Sequence, residues 1–229
     1  MNRNYQKELD KLLANEDIRG KRLFLHSCCA PCSSYVLEYL CQFFRITVFY
    51  YNPNITQESE YRKRVLEQKR LISEYNGKRE EKVLESAQNL WYSIDYVDGD
   101  YNVRKFLDTV KGMEECPEGG ERCFRCYELR LRETARKAME GEYDFFATTL
   151  TISPMKNAEK LNEIGESLAK EYNVLWLPSD FKKKNGYKRS IELSAEYGLY
   201  RQDYCGCAFS WAERERQKEK SYQNLGAKQ

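Results

Sequence analysis

Three groups of cysteines carry the chemistry in this sequence: Cys28-Cys29-Ala30-Pro31-Cys32, Cys123-Phe124-Arg125-Cys126 and Cys205-Gly206-Cys207. Thiolates are soft metal ligands and two-electron redox groups, so these residue types point to metal binding, thiol–disulfide exchange, or both. The second group is a CxxC opening a helical pattern, a spacing that aims two thiolates at one centre, as in zinc ribbons and iron–sulfur proteins. Cys28 and Cys29 with Cys123 and Cys126 supply the four sulfurs that close an iron–sulfur or zinc site, although adjacent cysteines need unusual backbone geometry to share one. Cys205 and Cys207 would close a very small, strained ring on oxidation, and Gly206 supplies the backbone freedom that ring demands. A strained disulfide is easily reduced, so this pair reads as a redox couple, with two further metal ligands as the alternative. Cys32 is either a ligand of a second ion or a packing residue. Cys41 and Cys116 stand apart and are expected to take no part, Cys41 as a small buried hydrophobe.

The single histidine, His26, nearly excludes imidazole-rich zinc sites and leaves one candidate base for a Cys–His or Ser–His pair. It is expected as a satisfied core histidine, close enough to Cys28 to donate a proton at the site. Nine cysteines in 229 residues are an odd number and too few for a disulfide-stapled scaffold. In a reducing compartment, clustered thiols bind metal or do redox work. The balance of 38 basic and 36 acidic residues, net +2, identifies no partner by itself. Local basic clusters do more: Arg62-Lys63-Arg64, then Arg122, Arg125, Arg130, Arg132 and Arg136 along the CxxC helix, then Lys182-Lys183-Lys184 with Lys188 and Arg189. The last cluster interleaves Phe181 and Tyr187 and follows the fifth expected strand, so it should rim the same sheet edge as the cysteines. Phosphate contacts there would steer an RNA toward them; an ordinary solvated loop is the plainer alternative.

Positioning these groups requires a sheet. Short β-branched and aromatic runs at Leu23–His26, Ile46–Tyr51, Ile94–Val97, Phe145–Thr149 and Val174–Leu177 alternate with helical patterns at Pro31–Cys41, Glu58–Tyr75, Cys123–Met139, Ala158–Glu171 and Arg189–Tyr197. That alternation predicts a doubly wound α/β fold with a parallel five-stranded sheet, each strand buried on both sides. Ligand sites in such sheets gather at the carboxyl ends of the strands, where the Cys28–Cys32 turn falls. Phosphate-binding turns at this place are glycine-rich; thiols and a proline favour a soft metal instead. The polar stretch from Gly77 to Leu90 and the acidic loop from Glu114 to Glu121 are expected as loops. A single domain is expected over 1–229, with a core of about 21–210, an amino-terminal helix over 2–15 and a charged carboxy-terminal helix and tail over 208–229. With 41% hydrophobic residues, no apolar run long enough for a membrane span and no secretory leader pattern at Met1 to Glu8, a folded cytoplasmic protein is expected.

Four segments in one order resemble the epoxyqueuosine reductases of the QueH type: His26-Ser27-Cys28-Cys29-Ala30-Pro31-Cys32; Glu118 through Arg130; Thr148 through Asn157; and Tyr187-Lys188-Arg189-Ser190 running on to Tyr200 through Cys207. The resemblance spans the first strand to about Ser210 and leaves Cys41 and Cys116 outside its pattern. It implies an adenine nucleotide alpha hydrolase-like (HUP-type) fold, a [4Fe–4S] cluster on Cys28, Cys29, Cys123 and Cys126, and a redox-active disulfide between Cys205 and Cys207. A possible second metal ion, iron or zinc, would sit beside the cluster, with Cys32 as candidate ligand. The implied reaction is two-electron removal of the epoxide oxygen from epoxyqueuosine at the tRNA wobble position, with an unidentified electron donor. The alternatives are an ATP-dependent tRNA-thiolating enzyme of the same fold, which the Cys28–Cys32 turn opposes, and a noncatalytic RNA-binding protein stabilised by zinc.

Overall fold

The computed structural model describes residues 3–85 and 91–226. Five parallel strands, β1 (Lys21–His26), β2 (Phe44–Tyr50), β3 (Ile94–Asp98), β4 (Phe145–Thr148) and β5 (Leu175–Trp176), form one sheet in the order β3-β2-β1-β4-β5. All five expected strands are present. Alternation along them separates two cores. Leu23, Leu25, Ile46 and Val48 face one side, with Leu9 and Leu13 of α1 (Tyr5–Leu13), Val36, Leu37 and Leu40 of α2 (Ala30–Leu40), and Leu71 and Tyr75 of α3 (Glu58–Glu85). Phe24, Phe49 and Phe146 face the other, under α5 (Glu121–Glu140) and α6 (Ala158–Tyr172). A sheet covered on both faces needs near-continuous apolar strands, which β1, β2 and β4 have.

The edges depart from expectation. Val97 of β3 is 43% exposed and Leu175 of β5 is 60% exposed, because an edge strand has a neighbour on one side only. Helix α3 runs to Glu85, through the start of the stretch expected as a loop. Its Lys, Glu and Arg residues are good helix formers, and they offset the roughly 1 kcal/mol that a mid-helix glycine such as Gly77 costs. Residues 86–90 of that stretch lie outside the described residues, as do the first residue of the expected 2–15 helix and the last three of the tail. A short helix not expected from the sequence, α4 (Val103–Thr109), is capped by the Asn102 side chain accepting from the Arg104 amide at 3.1 Å. Two helices complete the chain, α7 (Gly186–Glu196) and α8 (Ala208–Gly226).

The chain starts in the middle of the sheet, builds outward through β2 and β3, then returns to place β4 on the other side of β1. The crevice between the carboxyl ends of β1 and β4 is therefore the topological switch point, where successive loops part in opposite directions. The Cys28–Cys32 turn leaves one wall of it and a 3₁₀ turn, Thr149–Ile152, leaves the other. The Cys28 amide donates to Thr149 Oγ1 at 3.3 Å across the gap. No helix among the described residues is long and apolar enough to cross a membrane.

Candidate metal and redox site

Cys28, Cys29 and Cys32 gather at this crevice, their Sγ atoms all within 4.8 Å of one another. Pro31 in the first turn of α2 starts the helix immediately after the cysteine pair; Cys29, with extended backbone (φ −174°, ψ 160°), stands at the helix cap, and the Cys28 and Cys29 sulfurs are 3.8 Å apart. A buried polar network fixes the turn from behind. Gln68 Oε1 accepts from the Ser27 and Ser33 hydroxyls at 2.8 and 2.9 Å, and Asn52 Nδ2 donates to the Ser27 carbonyl at 2.8 Å. The Tyr50 hydroxyl donates to the Cys28 carbonyl at 3.3 Å. Hydrogen bonds from Cys28 and Cys32, with Arg64 nearby, push the Cys29 thiol well below its ordinary pKa, and Cys28 and Cys32 rise correspondingly. Three convergent sulfurs are a donor set for a soft metal.

Cys123 and Cys126 lie in the first turns of α5, and the Gly119 amide donates to Cys123 Sγ at 3.2 Å. Cys123 belongs to the same apolar cluster against which Cys28 packs. Cys126 is buried with Phe106, Val110 and Cys207, and burial pushes its thiol pKa up. Helix α5 thus faces both other cysteine groups.

Cys205 and Cys207 are free thiols with sulfurs 3.4 Å apart. Gly206 between them has φ +110°, a conformation that side chains rarely adopt. The loop is tied on every side: Arg64 donates to the Cys205 and Tyr204 carbonyls at 3.2 and 3.4 Å, and the Thr56 amide donates to the Gly206 carbonyl at 3.1 Å. Ser210 accepts from the Cys205 amide at 3.1 Å, donates its own amide to Cys207 Sγ at 3.3 Å and its hydroxyl to Glu118 at 3.2 Å. The hydrogen bond from Cys207 and the charge of Lys156 hold the Cys205 thiol well below its ordinary pKa.

A cavity of about 310 Å³ opens over these groups, with Cys28, Cys29, Cys32 and Cys205 in its wall together with Arg64, Arg130 and Lys156. Lys156 pairs with Glu118 at 3.1 Å, largely buried. Arg130 is 4% exposed and makes no ion pair among the described residues, although Arg125, Arg132 and Arg136 on the same helix each pair with a glutamate. Next to it the Tyr127 hydroxyl is buried with no hydrogen-bond partner. A buried cation with no ion pair among the described residues and a buried hydroxyl with no hydrogen-bond partner, beside convergent thiols, fit a negatively charged metal–thiolate group.

His26 is fully occupied. Nε2 donates to the Tyr51 carbonyl at 3.1 Å, which leaves Nδ1 to accept from the Thr148 hydroxyl at 2.8 Å. Burial, with Arg130 nearby, pushes its pKa down to about 3, so it is the neutral, satisfied core histidine expected from the sequence. Cys41 is buried in the core of α2, and Cys116 lies in the loop before α5, neither in the cavity wall. In the basic segment, Lys184 pairs with Asp10, Lys182 with Asp180, and Arg189 with Glu38, leaving Lys183 and Lys188 without a carboxylate partner among the described residues. Lys182 donates to the Thr151 carbonyl at 3.4 Å, and none of these five basic side chains lines the cavity. In the sequence Arg64 and Arg130 stand in basic clusters, and Arg130, Glu118 and Lys156 also fall in the segments that carry the resemblance, but residue type and spacing give none of these, nor Ser210, a role at the site. Arg130 had a readable signal, a cation on the apolar stripe of α5 four residues after Cys126.

Fold and thiol set together define a class: a doubly wound α/β protein whose strand-end crevice is furnished for soft metal and thiol chemistry. Comparison with known proteins places it within that class. A family model described as "Epoxyqueuosine reductase QueH" matches residues 23–213, and the chain belongs to that family of oxidoreductases. It is 43% identical over 211 residues to the epoxyqueuosine reductase QueH of Staphylococcus epidermidis, covering 90% of this chain and 84% of the relative. The Streptococcus pyogenes protein of the same name is 42% identical over 203 residues (89% and 75% covered), and that of Thermotoga maritima 34% over 198 residues (84% and 91% covered).

Proposed function

We propose that this protein reduces epoxyqueuosine to queuosine in tRNA, in the cytoplasm, drawing electrons from an external donor. The family match carries the reading, and the thiol-lined crevice supports it. Cys28, Cys29, Cys123 and Cys126 would hold a [4Fe–4S] cluster, with Cys32 available to a second metal ion, iron or zinc. Such a group supplies single electrons and a Lewis acid.

The residues of the chain account for the remainder. Removing an epoxide oxygen as water and leaving an alkene takes two electrons and two protons. Oxidation of the Cys205 and Cys207 dithiol to a disulfide releases two of each, and the external donor then restores the dithiol. Arg64, Ser210 and Gly206 hold these sulfurs at the cavity. Lys156, kept charged beside Glu118, faces the same space and can hold an anionic oxygen. The segment containing Lys182, Lys183, Lys184, Lys188 and Arg189 would meet tRNA phosphates, Lys183 and Lys188 with their charge uncommitted.

The test is anaerobic purification with iron and sulfide analysis, followed by assay on tRNA carrying epoxyqueuosine. A brown protein absorbing at about 400 nm that converts the substrate with a chemical reductant is expected. A colourless zinc protein without turnover would reject the reading. Cys205→Ser should abolish multiple turnover; full activity in that variant would remove the dithiol from the mechanism.

A further inference from the structure

Arg130 is a buried charge with no ion pair among the described residues. Its Nε donates to the Cys126 carbonyl one turn back at 3.2 Å, and its Nη1 approaches Asn52 Oδ1 at 3.5 Å. Those contacts use part of its donor capacity and none of its charge. An arginine cannot shed its proton to escape burial, so a guanidinium this deep is tolerated only where anions face it. Cys28 and Cys205 share the cavity wall with Arg130, Cys126 lies one turn back on the same helix, and the unpartnered Tyr127 hydroxyl and the neutral His26 are close by, so each cysteine group has a member near the guanidinium. Its position is also fixed: α5 carries Cys123, Cys126, Tyr127 and Arg130 along one buried stripe.

We propose that Arg130 is the resident counter-cation of the metal–thiolate centre, a positioning residue whose charge sets how readily that centre accepts an electron. This rests on the reading that the site holds an iron–sulfur cluster. Reduction adds negative charge, and a fixed cation in a low-dielectric wall favours the reduced state. Replacing it with a neutral side chain should therefore make the centre harder to reduce without changing its ligands.

The experiment is a redox titration of the full-length protein, purified anaerobically, for wild type, R130Q and R130K, each with iron and sulfide content measured. At the potential that half-reduces the wild type, R130Q should show a reduced-to-oxidised ratio lower by about tenfold, equivalent to ~59 mV for a one-electron couple. R130K, which keeps the charge, should stay within about threefold of wild type on the same scale. Equal ratios in R130Q and wild type at equal iron content would overturn the proposal. If R130Q fails to load iron, R130K decides: restored loading supports a charge requirement, and equal loss in both variants overturns it. A wild type without iron and sulfide would overturn the cluster reading itself, and this inference with it.

Discussion

Arg64 of α3 donates from Nη1 to the carbonyl of Cys205 at 3.2 Å, joining residues 141 positions apart, while its Nε pairs with Glu60 at 2.7 Å. Both side chains are buried, at 2% and 10% exposure. The pair thus anchors the Cys-Gly-Cys loop to a helix that packs behind the Cys28–Cys29 turn. Arg64→Ala leaves Glu60 as an uncompensated buried charge and should cost about 3–5 kcal/mol. Urea unfolding would read the loss, and alkylation of Cys205 should accelerate in the same variant at denaturant concentrations where it remains folded.

Gly206 offers a second handle on that loop. An added Cβ would stand 2.8 Å from Ile55 Cγ1 in a backbone with φ +110°. Gly206→Ala should destabilise by about 1–3 kcal/mol, measured by denaturant midpoint. A midpoint equal to wild type would show that the loop relaxes freely.

Metal content should separate the cysteines. Cys29→Ser removes one of the three convergent sulfurs and should lose most bound iron, whereas Cys116→Ser, outside the cavity wall, should retain it. Elemental analysis of both variants after identical anaerobic loading is the check.

Salt dependence should identify the charges that meet tRNA. Combined Lys183→Ala and Lys188→Ala should lower the slope of log affinity against log salt by about 2, since each lysine displaces about one counterion. Lys184→Ala, which removes a charge already paired with Asp10, should change it far less. Filter binding across a salt series compares them.

Acid should loosen the segment leading to Cys205. The Glu67 carboxyl is held below its ordinary value of 4.5 by Arg70 and by the Tyr200 amide, which donates at 2.7 Å. A lowered folded-state pKa stabilises above the unfolded value, and that stabilisation is lost as pH falls through the folded one. Glu67→Gln should therefore flatten the stability profile below pH 4.5, as read by urea midpoints across pH. An unchanged acid limb would remove Glu67 from the account.

Much of the site was legible because its chemistry is concentrated in residue type. Thiols at the end of β1, at the start of α5 and before α8 stand out in any reading, and the apolar runs of β1, β2 and β4 mark the sheet they border. Residues whose role depends on helical phase were harder to see. Arg62 and Arg64 sit in one basic run, yet Arg62 is 74% exposed beside Glu58 and Arg64 is buried against a loop far along the chain. Nothing local distinguishes them. Helix α4 escaped because seven residues are too few to establish a helical period. The extent of α3 was hidden because the stretch from Gly77 on is polar and carries little apolar periodicity.

Helix α5 also behaves as a ruler. Because Cys123, Cys126 and Arg130 share one rigid rod, the spacing between sulfur and guanidinium is written in residue count. One inserted residue between Cys126 and Arg130 would swing the cation by about 100° around the axis, out of the crevice, while Cys123 and Cys126 stayed in place. In this stretch the protein can exchange side chains, but it cannot gain or lose a single position.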